Sequence, residues 1–158
     1  MFDEIINRLG GMELVASDRP SSDDLTSLAN RLNRNLDTDF SEFLMHWGGM
    51  GWCKEVCYPL PSGEYAPVAY FYGGGPTDDP LTLESALESY AHRLPAGWIS
   101  FAEEGAGNQI CIRIDEPGKG SIGLWDHEQE ECPDSTSETA ILVVASSFRE
   151  WMNNLRAT

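Results

Sequence analysis

The stretch from Trp98 to Trp125 leaves the chain few folds to choose from. Trp98-Ile99-Ser100-Phe101-Ala102 is β-prone, Gly105-Ala106-Gly107-Asn108 turns the chain, and Ile110, Ile112 and Ile114 then alternate with Cys111 and Arg113. A period of two sets the isoleucines on one face of a strand, and an apolar row of that kind calls for burial. Pro117-Gly118-Lys119-Gly120 supplies turn chemistry, and Ile122-Gly123-Leu124-Trp125 returns as the antiparallel partner. A sheet with one apolar face needs a covering layer, which the rest of the chain must provide.

Helical signals flank this sheet. Ser21-Ser22-Asp23-Asp24 combines a capping serine with first-turn acids, and Leu25, Leu28, Ala29, Leu32 and Leu36 follow at three- and four-residue spacing. Asp37-Thr38-Asp39 starts a second helix with Phe40, Phe43, Leu44 and Trp47 on one stripe, and Gly48-Gly49 ends it by accepting a left-handed C′ conformation. Val56 to Leu60 and Val68 to Tyr72 read as strands, separated by Pro61-Ser62-Gly63 and closed by Gly73-Gly74-Gly75-Pro76. Thr82 caps a helix carrying Leu83, Ala86, Leu87 and Tyr90, which Pro95-Ala96-Gly97 stops. A last helix from about Ser146 carries Phe148, Trp151, Met152 and Leu155. The order is helices, strands, helix, sheet, helix, with no repeat and no linker. It predicts a single α+β domain over residues 1–158.

Charge excludes whole classes of partner. Lys plus Arg number 10 and Asp plus Glu 26, a net of -16. Phosphate would repel such a chain, so the counterion release that drives nucleic-acid binding is absent, and anionic lipid surfaces are equally unsuitable. Hydrophobic residues still make up 41%, enough for a folded core, and a chain of this length buries roughly 70% of its unfolded surface without a disulfide staple. The start, Met1-Phe2-Asp3-Glu4-Ile5-Ile6-Asn7-Arg8, has acids where a signal peptide has bases. The longest apolar run, Ala140 to Ala145, is far short of the ~18 residues of a membrane span. A cytoplasmic protein is expected, with Cys53, Cys57, Cys111 and Cys132 as thiols.

Motifs with a chemical mechanism are missing. His46, His92 and His127 stand apart without an HExxH pair, and Cys53 and Cys57 have no second pair to complete a tetrahedral metal site. No GxSxG elbow surrounds Ser100, Ser121, Ser146 or Ser147. Gly73-Gly74-Gly75 runs into Pro76 and Asp78-Asp79, which suits a turn and not a phosphate cradle. The aromatic stripes Phe40, Phe43, Trp47 and Phe148, Trp151 are read as core. The expectation is no enzyme, no metal and no cofactor.

What remains is where the charge sits. From Phe101 to Ala140 there are ten acids (Glu103, Glu104, Asp115, Glu116, Asp126, Glu128, Glu130, Glu131, Asp134, Glu138) against Arg113 and Lys119, a local balance of -8 and half the excess of the chain. Such a face either only aids solubility or steers a basic protein partner over a Debye length of roughly 8 Å. For the second reading the candidate partner-binding residues are Glu103, Glu104, Asp126, Glu128, Glu130 and Glu131, with Trp52, Tyr70 and Tyr72 as aromatic anchors.

Several of these stretches together resemble a known family. Leu36 to Leu44 with Trp47-Gly48-Gly49, Trp98 to Ala102, Gly107-Asn108-Gln109-Ile110-Cys111-Ile112, Gly120 to Glu128 and Phe148 to Leu155 resemble the SUKH superfamily in its cell-wall-assembly-regulator branch. The most specific part runs from Trp98 through the Gly-Asn turn to Leu124-Trp125-Asp126-His127-Glu128. Where the family often has Leu-Pro ahead of the aromatic helix, this chain has Leu36-Asp37, an aspartate cap in place of proline. The resemblance implies a curved, mostly antiparallel sheet flanked by helices, with a core from about residue 22 to 156. It also implies a non-catalytic protein-binding scaffold. Bacterial members commonly act as immunity proteins that neutralise a cognate toxin, often a nuclease or deaminase; the alternative role is an intracellular adaptor with no toxin partner. An acidic inhibitor suits a nuclease, whose substrate-binding face is basic.

Overall fold

The computed structural model describes residues 1–75, 77–129 and 138–158. The chain opens with α1 (Asp3–Arg8) and β1 (Met12–Leu14), then α2 (Ser22–Leu32) and α3 (Thr38–Trp47). Four short strands follow, β2 (Met50–Trp52), β3 (Val56–Pro59), β4 (Tyr65–Pro67) and β5 (Tyr70–Phe71), and then α4 (Leu83–Tyr90). The central meander is β6 (Trp98–Glu103), β7 (Gln109–Arg113) and β8 (Ile122–Trp125), and the chain closes with β9 (Ile141–Ala145), α5 (Phe148–Asn154) and β10 (Arg156–Ala157). This is the α+β domain the sequence predicts.

Side-chain caps fix four of the helix starts. Ser21 accepts from the Asp24 N–H and Asp24 reaches back to Ser21, a full capping box; Asp37 accepts from the Phe40 N–H, Thr82 from Ser85 and Ser147 from Glu150. Each cap satisfies amide donors that have no partner inside the helix. Two boundaries differ from the expectation. Asn33 adopts a left-handed conformation (φ 51°) and ends α2, so Leu36 packs on the core from the loop beyond. The last helix is capped by Ser147, while Ser146 binds the Glu150 carboxylate. Gly49, at φ 77°, does take the left-handed turn after α3.

The strands form two antiparallel sheets. The larger has seven strands in the order β1-β2-β5-β6-β7-β8-β9, and the smaller has three in the order β10-β3-β4. The hairpin read from the sequence is present, with Ile112 opposite Ile122 and Gln109 opposite Trp125. The segment read as one strand from Val68 to Tyr72 is divided between the two sheets, its Val68 N–H donating to the Val56 carbonyl at 2.9 Å beside the β3–β4 pair. β3 pairs with β4 in the small sheet, whereas β5 joins the large sheet between β2 and β6. Alternation separates the two faces of the meander. Ile99, Phe101, Ile110, Ile112 and Ile122 face the main core, and Trp98, Cys111 and Trp125 meet Leu94 and Ile141 on the other side. Gly123 is required there, because an added Cβ would lie 2.2 Å from Ile141 Cγ2 and 3.1 Å from the Trp98 ring.

Aromatic rings knit the main core. Phe148 of α5 packs against Phe2, Phe40, Phe43, Phe101 and Trp151 at centroid distances of 5.2 to 5.9 Å. Phe43 also meets Phe71 at 4.7 Å, so α3, α5 and the sheet share one cluster. The hydrophobic core also takes in Phe2, Ile6 and Leu9, before, along and just after α1, all at most 3% exposed. Among the described residues, no helix is long and apolar enough to cross a membrane.

Candidate protein-binding site

One row of residues crosses the large sheet at the end where the acids gather. Gly51 pairs with Tyr70, Tyr70 with Glu103, Glu103 with Gln109, Gln109 with Trp125 and Trp125 with Ile141. Residues opposite one another in a sheet present their side chains on the same face. Tyr70, Glu103 and Gln109 therefore stand side by side, and the Tyr70 hydroxyl donates to Glu103 Oε2 at 2.5 Å.

Gln109 organises what lies around it. It is fully buried, and its Oε1 accepts from the Tyr72 hydroxyl at 2.8 Å and from Ser100 Oγ at 2.5 Å, while its Nε2 donates to the Gly107 carbonyl at 3.0 Å. The preceding residue, Asn108, is half-buried and holds the segment after β8. Its Oδ1 lies 3.1 Å from the His127 N–H and 2.7 Å from His127 Nδ1. A carbonyl oxygen only accepts, so Nδ1 carries the proton. Asp126 Oδ1 accepts from the Glu128 N–H at 2.9 Å, which fixes the start of the 3₁₀ turn His127–Gln129. Through these bonds Gln109 and the Gly107-Asn108 turn set the position of Asp126 and Glu128.

Burial acts on the tyrosines in one direction. The Tyr70, Tyr72 and Tyr90 hydroxyls are all raised above their ordinary pKa, first by loss of water. The Glu103 carboxylate adds to the shift of Tyr70. Each remains a protonated donor at neutral pH. Tyr90 of α4 stands edge-on to Trp125 at 5.8 Å, with the Arg93 guanidinium 4.8 Å from the Tyr90 ring and 5.6 Å from Trp125. Other arginines are engaged elsewhere, Arg31 with Glu84 and Glu88, Arg113 with Asp115 and Arg149 with Asp39. Among the described residues Glu103, Asp126 and Glu128 form no salt bridge.

The sequence candidates divide accordingly. Tyr70, Tyr72 and Glu103 form one bonded group, and Asp126 and Glu128 are tied to it through Asn108 and Gln109. Tyr72 is only 3% exposed, so it supports the surface from beneath. Glu104 stands apart: its Oε2 is buried with no hydrogen-bond partner among the described residues, and its charge raises the Tyr58 hydroxyl pKa, second to burial. Trp52 packs into the core 6.1 Å from Phe71, so its ring is not available to a partner. Glu130 and Glu131 lie outside the described residues. Sequence reasoning missed Gln109 and the Asn108–His127 bond. A glutamine on the Cys111 face of an apolar strand was the available signal, because burial there obliges it to find partners.

Gln109→Leu should show what this arrangement contributes. It leaves the Tyr72 and Ser100 hydroxyls without their acceptor and is expected to lower the unfolding free energy by about 1–3 kcal/mol, read from the urea midpoint. An unchanged midpoint would show that the buried bonds contribute nothing net.

An open groove of about 370 Å³ lies between α2 and α3, lined by Leu25, Ala29, Leu36 and Met45 with Ser22, Thr26, Asn30, Asn35 and Ser41. None of these side chains is a carboxylate, imidazole or thiol, so the groove holds no acid–base pair. The fold and surface thus define an open antiparallel sheet covered by helices, with a tyrosine-bearing acidic end. The chain belongs to the SMI1/KNR4 family (SUKH-1), which it matches over residues 19–154. This family includes toxin immunity proteins, typically binds protein partners and is generally non-catalytic. The chain is also similar to the SPbeta prophage-derived uncharacterized protein YokK of Bacillus subtilis (strain 168), at 28% identity over 177 aligned positions that cover 98% of this chain and 85% of the relative.

Proposed function

We propose that this protein is a non-catalytic immunity protein that acts in the cytoplasm and neutralises a cognate toxin of basic, nuclease type through the acidic end of its sheet. The observation that carries the reading is that Glu103, Asp126 and Glu128, none ion-paired among the described residues, lie at the same end of the sheet, with Glu103 bonded to the half-buried Tyr70. Uncompensated carboxylates raise the encounter rate of a cationic partner, and an amphipathic ring held by its own hydroxyl offers contact area with little entropy left to lose. Family membership supports the reading because toxin neutralisation is one of the family's roles. The prophage origin of the Bacillus relative adds support, since it sets a similar protein on a mobile element.

The test is to tag the protein in its own cells, purify it at low and at moderately high salt, and identify stoichiometric companions by mass spectrometry. One basic toxin domain, retained at low salt and depleted at high salt, is the expected result. Several ordinary cellular proteins retained at both would replace immunity with the adaptor role. If no companion is found, co-expression with the neighbouring genes is the next trial, and a neighbour that kills cells unless this protein is present is the outcome expected.

A further inference from the structure

Among the described residues the large sheet is open at both edges, and the two edges differ. β1 is three residues long, and just past it Val15 and Ala16 both donate to the Gly49 carbonyl, turning the chain back toward the body of the protein. β9 is longer and wholly uncharged, Ile141-Leu142-Val143-Val144-Ala145, and among the described residues it pairs only with β8. Leu142 and Val143 are 45% and 50% exposed. Free edges are usually protected by a lysine, a proline or an inward charge, and β9 contains none of these. A register shift between Ile122 and Gly123 leaves Ile141–Val143 as the regular part of the edge.

The sequence that joins β8 to this edge carries charge of one sign. Ile141 is opposite Trp125, so β9 begins where Asp126 and Glu128 leave β8. The sequence from Asp126 to Ala140 contains no Lys or Arg. A second copy of the chain fits poorly there, because edge-to-edge pairing would bring together two bodies of net charge -16. A cationic strand fits well.

We propose that β9 is a strand-addition site that takes an extended edge segment of a basic protein partner. The segment's backbone pairs with Ile141–Val143, its apolar side chains cover Leu142 on one face of the sheet, and the Lys or Arg residues that alternate with them are drawn to Asp126 and Glu128. The inference deepens the toxin-binding reading and rests on its claim that the partner is basic.

The experiment uses the full chain, labelled for amide NMR, and three synthetic extended peptides. The first alternates Val with Lys, the second alternates Val with Glu, and the third has the Val-Lys sequence with alternate backbone nitrogens methylated. The Val-Lys peptide is expected to shift the Leu142, Val143 and Val144 amide signals and slow their hydrogen exchange, with an affinity that falls as salt rises. It should bind at least about tenfold more tightly than the Val-Glu peptide. The methylated peptide keeps charge and side chains but cannot pair, and it should leave these amides unchanged. Equal effects from the methylated peptide, equal affinity for the Glu peptide, or β9 shifts that follow protein concentration alone would each overturn the proposal, the last in favour of self-pairing. Because no toxin is needed, failure of the immunity reading leaves this result standing. Conversely, a toxin that binds without perturbing the β9 amides overturns strand addition alone.

Discussion

Phe148→Ala is expected to lower the unfolding free energy by about 3–5 kcal/mol, the range for deleting a fully buried aromatic ring. The ring is 1% exposed and touches Phe2, Phe40, Phe43, Phe101 and Trp151, which come from the chain start, α3, β6 and α5. Because these partners lie on separate elements, no single movement closes the space left behind. Domains of this kind are stable by about 5–15 kcal/mol in total, so the loss takes a large share of the margin. Phe148→Leu keeps most of the volume and should cost less than about 1.5 kcal/mol if the neighbours repack. Urea titrations of the two variants and the parent measure this directly. Equal midpoints for Ala and Leu would show that packing around residue 148 is loose.

Reversing Glu128, Glu130 and Glu131 to Lys together is the second large expected effect, now on partner binding. Association with a basic toxin domain should slow by about 10- to 1,000-fold at low salt, with a much smaller change in dissociation. The gap should narrow as salt rises, because a Debye length of roughly 8 Å at physiological salt already screens the outer charges. Glu128 is exposed and its side chain forms no salt bridge among the described residues, so its reversal should not disturb the fold. Stopped-flow association across a salt series, with a melting curve for each protein, gives both readouts. Unchanged association and unchanged salt dependence would remove the acidic-docking mechanism and leave the family assignment intact.

The parts of this molecule that were legible in the sequence are those stabilised by neighbours in the chain. Alternation at Ile110, Ile112 and Ile114 and the turns on either side reported β7 and β8, and Ser21, Asp37 and Thr82 reported helix starts. Strands β1, β2 and β10 are only two or three residues long, and distant pairings hold them, such as Gly51 with Tyr70 and Arg156 with Cys57. A window of two residues has no periodicity to read. α1 did carry a signal, with Phe2, Ile6 and Leu9 at helical spacing, but six residues are too few to form a helix without the core they pack on. At the candidate site the carboxylates were visible as composition. The Gln109 bonds to Tyr72 and Ser100 were not, since they exist only once β5, β6 and β7 are in register.

The order in which the ribosome supplies the aromatic cluster has its own consequence. All seven strands of the large sheet are complete before Phe148 and Trp151, two of the rings that cover its inner face, are made. At synthesis rates of about 5–20 residues per second, each nascent chain leaves the part of Phe71 and Phe101 that α5 covers open for a time on the order of a second. Neighbouring chains on one messenger meet during that interval. The carboxylates, most of them already translated by then, give those chains a mutual repulsion that holds them apart until α5 arrives and closes the core.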